Sequence, residues 1–257
     1  MSLETAMVSR VRPLALGGAS LALGFVVWYL ISHYAGLPSY VLPTPGEVLV
    51  KATGLWKGGV IQIHFAQTMA EIIQGAALGL LLGIIVALTF HRARRIRRLS
   101  MPVVFVMQVI PKISIAPLLV LWMGLGIASK ITLVTLAVFF PVMINLLNRL
   151  ESIPTSVRDL AKVLGFGPIR RAFQIEIPFT LPGLVAGLKL GLLGAVTASV
   201  IAEFIGASAG LGYLERQGQD NADISTVFIS LGLLSLIGLV FYVIVVLFER
   251  RLSRRYT

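Results

Sequence analysis

The chain has 257 residues, 57% of them hydrophobic and 13% charged, with 22 Lys+Arg against 11 Asp+Glu and no cysteine. A soluble domain is roughly 45–50% apolar and about 25% charged. These charges are too few to coat a soluble fold, which excludes a soluble nucleic-acid binder and a disordered basic tail; without cysteine there is no disulfide scaffold and no Cys-ligated zinc or iron–sulfur site. What remains is an all-α membrane protein that crosses the bilayer several times.

A spanning helix needs about 20 mostly apolar residues, because the hydrocarbon core is about 30 Å thick and each helical residue rises about 1.5 Å. Six stretches qualify: Leu14–Gly36, Gln67–Phe90, Met101–Met123, Ile131–Leu147, Leu184–Ile205 and Ser225–Phe248. Arg10 and Arg12 before the first imitate the basic region of a signal peptide, but the apolar run is too long and no small-x-small cleavage site follows, so it reads as an anchor. The third stretch holds Pro111 and Pro117, whose missing N–H groups predict a bent or broken helix. This divides the chain into a tail at 1–13, a membrane domain at 14–248 and a tail at 249–257.

Sixteen of the basic residues fall in one alternating set of connections, including Arg92–Arg98, Arg149–Arg171 and Arg250–Arg255, and four (Lys51, Lys57, Lys130 and Arg216) in the other. The positive-inside rule places the richer set, and both termini, in the cytoplasm. The basic run at 91–98 invites a nucleic-acid or lipid-specific reading, but between two spans it reads as a topology signal in contact with anionic headgroups. On the opposite side, Leu42-Pro43-Thr44-Pro45-Gly46-Glu47-Val48 predicts a turn and a short amphipathic helix with Val48, Leu49, Leu55 and Trp56 on its apolar side. Trp28, Tyr29, Tyr34 and Trp56 mark the headgroup level.

Inside the spans, Gly75, Gly79 and Gly83 recur every four residues, as do Gly183, Gly187 and Gly191. Small residues at this spacing let helices approach closely in lipid; packing within the subunit is preferred over a subunit interface.

Residues 149–182 are too long for a simple connector. Ser156-Val157-Arg158-Asp159 matches a capping box, predicting a helix over Asp159–Leu164. Gly165 suits a left-handed cap and Pro168 the first position of a second short helix through Ile175, which Pro178 and Pro182 end. The result is a helical hairpin on the cytoplasmic surface whose Leu160, Val163, Leu164, Phe166 and Phe173 suit it to docking.

At these residues the sequence resembles the permease subunits of ABC importers. Asp159-Leu160-Ala161, Gly165, Ile175 and Ile177-Pro178 follow the spacing of their EAA motif, Glu-Ala-Ala, three residues, Gly, nine residues, Ile, one residue, Leu-Pro, with Asp for Glu at 159, Leu for Ala at 160 and Ile for Leu at 177. The likeness extends over most of 37–250, through Val41–Pro45, Ile110–Leu118, Leu121–Gly126 and Ala202–Gly212, to the nitrate/sulfonate/taurine-type branch (binding-protein-dependent transport inner-membrane components). It implies a type I ABC importer transmembrane fold of six helices, a permease dimer of which this chain is one copy, two ATPase subunits and an external substrate-binding protein. The solute would be a nitrate-, sulfonate- or taurine-like anion or a vitamin precursor. It also implies that 156–178 is the coupling helix, with Asp159, Ala161, Gly165, Phe166, Gly167, Ile175 and Pro178 at the ATPase contact. The chain carries no G-x-x-x-x-G-K-[ST] loop, so ATP and Mg would be bound by the partner; the chain is read as a transport subunit, not an enzyme, of a bacterial inner membrane.

Polar groups inside spans are costly and tend to face protein or water. Gln108, Lys112, Ser114, Asn145 and Glu203 are the candidates for the translocation pathway, four of them with a plainer structural alternative: Lys112 an acid partner, Gln108 and Asn145 helix joining, Glu203 a helix-end hydrogen bond. Lys189 reads as snorkelling to the surface. His33, His64 and His91 lack metal-ligand spacing. The rival readings are an ion-coupled secondary transporter, which would want inverted repeats and a midplane carboxylate, and an intramembrane enzyme, whose catalytic constellations are missing.

Overall fold

A computed structural model describes the backbone of residues 3–256 and the side chains of 18–20 and 22–251. Almost everything described is helical. In chain order the helices are α1 (Leu3–Tyr34), α2 (Pro45–Lys57), α3 (Val60–Arg92), α4 (Arg94–Val109), α5 (Lys112–Met123), α6 (Ile127–Glu151), α7 (Thr155–Val163), α8 (Pro168–Arg171), α9 (Ile177–Gly206), α10 (Leu211–Asp220) and α11 (Ile224–Tyr256). The side chains of Arg10, Arg12, Arg254 and Arg255, which the charge argument used, lie outside the described residues. The helical backbone runs through most of both expected tails, from Leu3 at one end and to Tyr256 at the other.

The residues form two compact units, 1–60 with 215–229, and 61–214 with 230–257. In the first, the predicted turn and short helix form as α2. Thr44 and Glu47 close a reciprocal capping box, Glu47 N–H donating to Thr44 Oγ1 (3.3 Å) and Thr44 N–H to Glu47 Oε2 (2.8 Å). The Thr44 N–H, and then the Ser39 hydroxyl, hold the Glu47 carboxyl below its ordinary range. Trp28 ties α1 to this turn, its Nε1 donating to Pro43 O at 3.0 Å while its ring stacks on Phe228 at 5.1 Å. Lys51 pairs with Asp223 at 2.7 Å. Burial pushes the Asp223 carboxyl up, but bonds from Lys51 and Thr226 outweigh it and leave it below the usual value.

Four helical stretches, lying mostly in the second unit, are long and apolar enough to cross a membrane: Val60–Arg92, Ile127–Glu151, Pro168–Gly206 and Ile224–Arg251. The third predicted stretch is bent by 99° between α4 and α5, which together make one broken span. The break falls at Ile110-Pro111, both extended, where Pro111 has no N–H to continue the ladder. Four spans and a broken fifth are therefore evident. The sixth expected span rests on α1, whose described apolar part, Gly18–Tyr34, is shorter than a full crossing.

The two glycine series explain how the spans pack, and both face the same partner. Along α3, Gly75 lies against Val134, Gly79 against Thr135 and Val138, and Gly83 against Val142. A Cβ at Gly79 would sit 2.7 Å from Thr135 O and 2.8 Å from Val138 Cβ. The residue numbers rise together, so α3 and α6 run parallel. From the other side, Gly183 meets Asn145 and Arg149, Gly187 meets Pro141 and Val142, and Gly191 meets Val138; these numbers run oppositely, so α9 is antiparallel to α6. The small-residue stripes therefore pack helices within the subunit, as preferred from sequence, and α6 lies between two backbones that nearly touch it. Ile72, Leu133, Val138, Val185 and Ala198 belong to the resulting core, to which α5 adds Ala116 and Leu119 and α11 adds Leu234 and Ile237.

Candidate functional site

The hairpin between the fourth and fifth spans forms, with changes at both ends. Its first helix starts at Thr155, earlier than the predicted Asp159, with Pro154 at the N-cap and no side-chain cap bond. Val157 and Arg158 donate their N–H groups to Pro154 O, so Ser156 is already inside the helix and the expected Ser156–Asp159 capping box does not form. Asp159 pairs instead with Lys162 at 2.9 Å on an open surface.

The helix ends as Gly165 predicted. Gly165 has φ +66°, its N–H reaches Lys162 O (3.0 Å), and the Phe166 N–H reaches back to Ala161 O (2.9 Å). This bond pair is a Schellman motif. It gives the motif residues a physical reason: glycine supplies the left-handed conformation, and the buried Ala161 keeps the turn close to the body beneath it. Gly167 is extended and caps α8, with Pro168 in its first turn.

The expected stop after Ile175 does not occur. Ala172–Glu176 forms a wider turn, the Ile177 N–H bonding to Ala172 O, and the chain enters α9 without leaving helical geometry. Pro178 lacks an N–H, and its ring would collide with a carbonyl four residues back; the wide turn just before it makes room. Pro178 and Pro182 therefore lie within the fifth span rather than ending its approach. Ile175 is half-buried beside a cavity of about 110 Å³ that Ile153, Arg158, Arg171 and Glu176 also line.

The hairpin's apolar side chains are uncovered. Val163 is 85% exposed, Ile169 74% and Phe173 69%, with Leu160 and Leu164 also open. Phe166 is half-covered, with the Arg170 guanidinium 4.3 Å from its ring centroid. Open apolar side chains in this number on two short helices make the hairpin a candidate interaction surface.

The pathway candidates separate into two groups. Gln108, Lys112 and Ser114 flank the bend of the broken span, all exposed, and Lys112 has no acidic partner among the described residues. Asn145 is half-buried and spends its amide on Pro141 O at 2.8 Å, the carbonyl beside the Gly187 contact. Glu203 is fully buried and clasps the following loop: its carboxylate accepts the Gly212 N–H (2.5 Å), the Thr68 hydroxyl (2.6 Å) and the Ser199 hydroxyl (3.3 Å). Thr68 in turn accepts the Leu211 N–H at 2.8 Å, and His64 Nδ1 accepts the Gly210 N–H at 3.0 Å. Gly210, at φ +123°, has no room for a side chain against the Glu203 carboxylate. This is the helix-end bonding weighed as the alternative for Glu203, extended to a second helix.

One buried pair departs from the sequence reading. Lys130, counted with an outer connection, is buried in the first turn of α6, 3.5 Å from the buried Glu71. The signal lay in the spacing. Glu71 stands four residues before Gly75, as Lys130 stands four before Val134, so the ion pair is the first rung of the glycine–valine ladder. Lys189 reaches Glu249 at 2.6 Å rather than standing alone at the surface.

Helices long and apolar enough to cross a membrane, a broken span with open polar residues at its bend, and a helical hairpin with open apolar side chains describe a polytopic membrane protein. The chain belongs to the family of binding-protein-dependent transport system inner membrane components, whose family model matches residues 79–254. It is 33% identical to a probable ABC transporter permease protein of Haemophilus influenzae over 90% of this chain and 92% of that protein. It is 32% identical to the formylaminopyrimidine transport permease protein ThiX of Halalkalibacterium halodurans (83% and 85% covered) and 32% to the riboflavin transport system permease protein RibX of Chloroflexus aurantiacus (91% and 88%). Among solved structures, the fold is shared with an inward-facing MetNI methionine ABC transporter (TM-score 0.56, 22% identity, covering 77% of this chain and 94% of that one) and an amino acid ABC transporter (TM-score 0.59, 18% identity, 79% and 96%). The protein is thus a permease subunit of an ABC importer, a multi-pass membrane component of a system with ATPase and substrate-binding partners, and the ion-coupled alternative is not favoured.

Proposed function

We propose that residues 149–182 are the element through which an ATPase subunit, which binds the ATP and Mg, drives this permease, and that they and both termini face the cytoplasm. The supporting observation is the hairpin's uncovered apolar surface around the Schellman turn at Gly165, continued without a break into a spanning helix. A push on α8, to which the Schellman turn joins α7, would pass along a continuous helical path into α9, and from α9 into α6 through glycine contacts that leave little slack. A second permease, most simply a copy of this chain, completes the wall of the passage, because one set of spans encloses only half of it. The cargo is a small solute delivered by an external binding protein, a nitrate-, sulfonate- or taurine-like anion or a vitamin precursor. Lys112, which has no acidic partner among the described residues, stands at the bend of the broken span and suits an anionic group.

Gly165→Leu tests the coupling. A Cβ at Gly165 would meet nothing within 4 Å, so the cost within the subunit is conformational, about 1–2 kcal/mol for a left-handed non-glycine residue. The expected outcome is a permease that still inserts, with ATP hydrolysis by the assembled importer no longer driving uptake in vesicles. Wild-type uptake per ATP in the variant would overturn the assignment.

A further inference from the structure

The corner where α3 gives way to α4 holds a cavity of about 750 Å³ that the transport reading does not use. Arg94, Arg97 and Arg98 line it from α4, Arg158 joins them from α7, and a single carboxylate, Glu151, faces these four guanidiniums. Arg97 pairs with Glu151, and Arg158 donates to Leu150 O at 2.7 Å. Arg94 and Arg98 are exposed and have no acceptor among the described residues. The cavity thus carries positive charge in excess of what the protein neutralises.

Its other wall is apolar and lies on the same helix face. Arg94, Arg97 and Arg98 are followed at helical spacing by Met101, Pro102 and Phe105, so one stripe of α4 changes from cationic to apolar within about three turns. Ile96, Leu99, Val103 and Val106, on the flanking faces of α4, are all at least half exposed on a helix that belongs to a membrane span. A soluble anion would use the guanidiniums and leave the Met101–Phe105 wall unused. A molecule with an anionic head and an acyl chain uses both.

We propose that this cavity is a specific site for one anionic phospholipid, its phosphate held by Arg94, Arg98 and Arg158 and its acyl chain laid along Met101, Pro102 and Phe105. Arg158 belongs to the hairpin and the other arginines to the corner of the broken span, so a bound lipid bridges the two and braces the hairpin against the membrane body. This goes beyond the general attraction of basic loops to headgroups, because it singles out residues on one stripe. It rests on the chain being a membrane permease but not on the coupling assignment, since lipid retention is measured without transport.

The test is native mass spectrometry of the assembled importer, permease with ATPase, extracted from mixed phosphatidylcholine–phosphatidylglycerol vesicles. The wild type is expected to retain phosphatidylglycerol in preference to phosphatidylcholine, one molecule per permease chain. Arg94→Gln/Arg98→Gln is expected to retain it roughly thirtyfold less well. Arg92→Gln/Arg95→Gln removes the same charge from residues that do not line the cavity and should retain it as the wild type does. Assembly with the ATPase in both variants serves as the folding control, and should the first fail to assemble, Arg98→Gln alone is read with an expected loss of roughly fivefold. Equal loss in the two double variants, or no loss in the first, overturns the proposal. Displacement of the lipid by inorganic phosphate would assign the cavity to a soluble anion and overturn it as well.

Discussion

The slab of α3, α6 and α9 and the hairpin of α7 and α8 treat apolar surface in opposite ways. In the slab, glycines on two helices bring backbones against the valines of a third, and residues such as Val134, Val138 and Val142 are wholly buried. In the hairpin, Val163, Ile169 and Phe173 are left largely bare. Both regions are built from helices and share a chain, so the difference lies in what each must contact. The slab is completed by the subunit's own residues and behaves as a stiff body, because close-packed interiors transmit displacement rather than absorb it. The hairpin is held together by a turn, not by a core, and the described residues of the subunit leave its apolar side chains largely uncovered.

The largest effect expected from breaking the slab is at its one ionic rung. Lys130→Met leaves Glu71 buried opposite an apolar side chain, with Gln67 and the neighbouring Glu203 carboxyl its remaining partners, and removing one member of a buried pair costs about 3–5 kcal/mol. The double variant Lys130→Met/Glu71→Leu removes both charges and should recover most of that loss. Thermal unfolding of the three purified proteins in one detergent checks the ordering. A double variant no better than the single would mean that the pair itself, not its balance, holds this end of α3 to α6.

Next in size is Gly79→Ala. The added methyl meets the Thr135 carbonyl and Val138 Cβ at distances that force the helices apart, at a cost of about 1–3 kcal/mol. The same change at Gly165, where the space is open, should cost the subunit only the left-handed conformation. If uptake in Gly79→Ala falls further than the loss of folded protein explains, the slab is a transmitter as well as a scaffold.

The two regions were also unequally legible in the sequence. The hairpin's turn could be read because its determinants are local: Gly165 and Pro168 act within a few bonds, and their spacing carries the family likeness. The helix limits there were read less well. Pro154 and the wide turn at Ala172–Glu176 moved the start earlier and removed the stop, since a proline can begin a helix or be absorbed by one as readily as end it. The slab's glycine stripes were visible, but not that both face α6, because which helices meet is a property of the tertiary fold. Lys130 was misplaced for a related reason. Charge-counting assigns a lysine at a span boundary to water unless its partner is known, and Glu71 is 59 positions away in sequence. Likewise Glu203 was seen, but Thr68 was not and His64 was weighed only as a metal ligand, since neutral residues in an apolar helix show no role until the loop they hold is in place.

Thr68→Val comes next, at about 1–3 kcal/mol. It removes the hydroxyl shared between the Glu203 carboxylate and the Leu211 N–H, leaving a buried donor and a buried acceptor each short of a partner. Because the two groups join the end of α9 to the start of α10 across the loop at 207–210, the loss should appear first as local opening. Hydrogen exchange at Leu211 and Gly212 is expected to rise before the global transition moves. Uniform exchange across α3, α9 and this loop would show that the clasp and the slab open as one.

The smallest effect on stability, and the sharpest contrast, is expected from Val163→Ser. A side chain this exposed removes little apolar contact from the subunit, so the change should stay within about 0.5 kcal/mol. If the hairpin surface is covered by an ATPase, the same substitution places a hydroxyl in what becomes a buried apolar contact, and burying a hydroxyl without a partner costs about 1–3 kcal/mol on protein scales. Unfolding of the isolated permease should therefore be unchanged while its affinity for the ATPase, measured by titration in detergent, falls about tenfold or more. Slab substitutions should show the reverse order, with stability lost before affinity. A Val163→Ser permease that unfolds early yet binds its ATPase normally would erase the distinction, because the hairpin would then be part of the same self-completed body as the helices behind it.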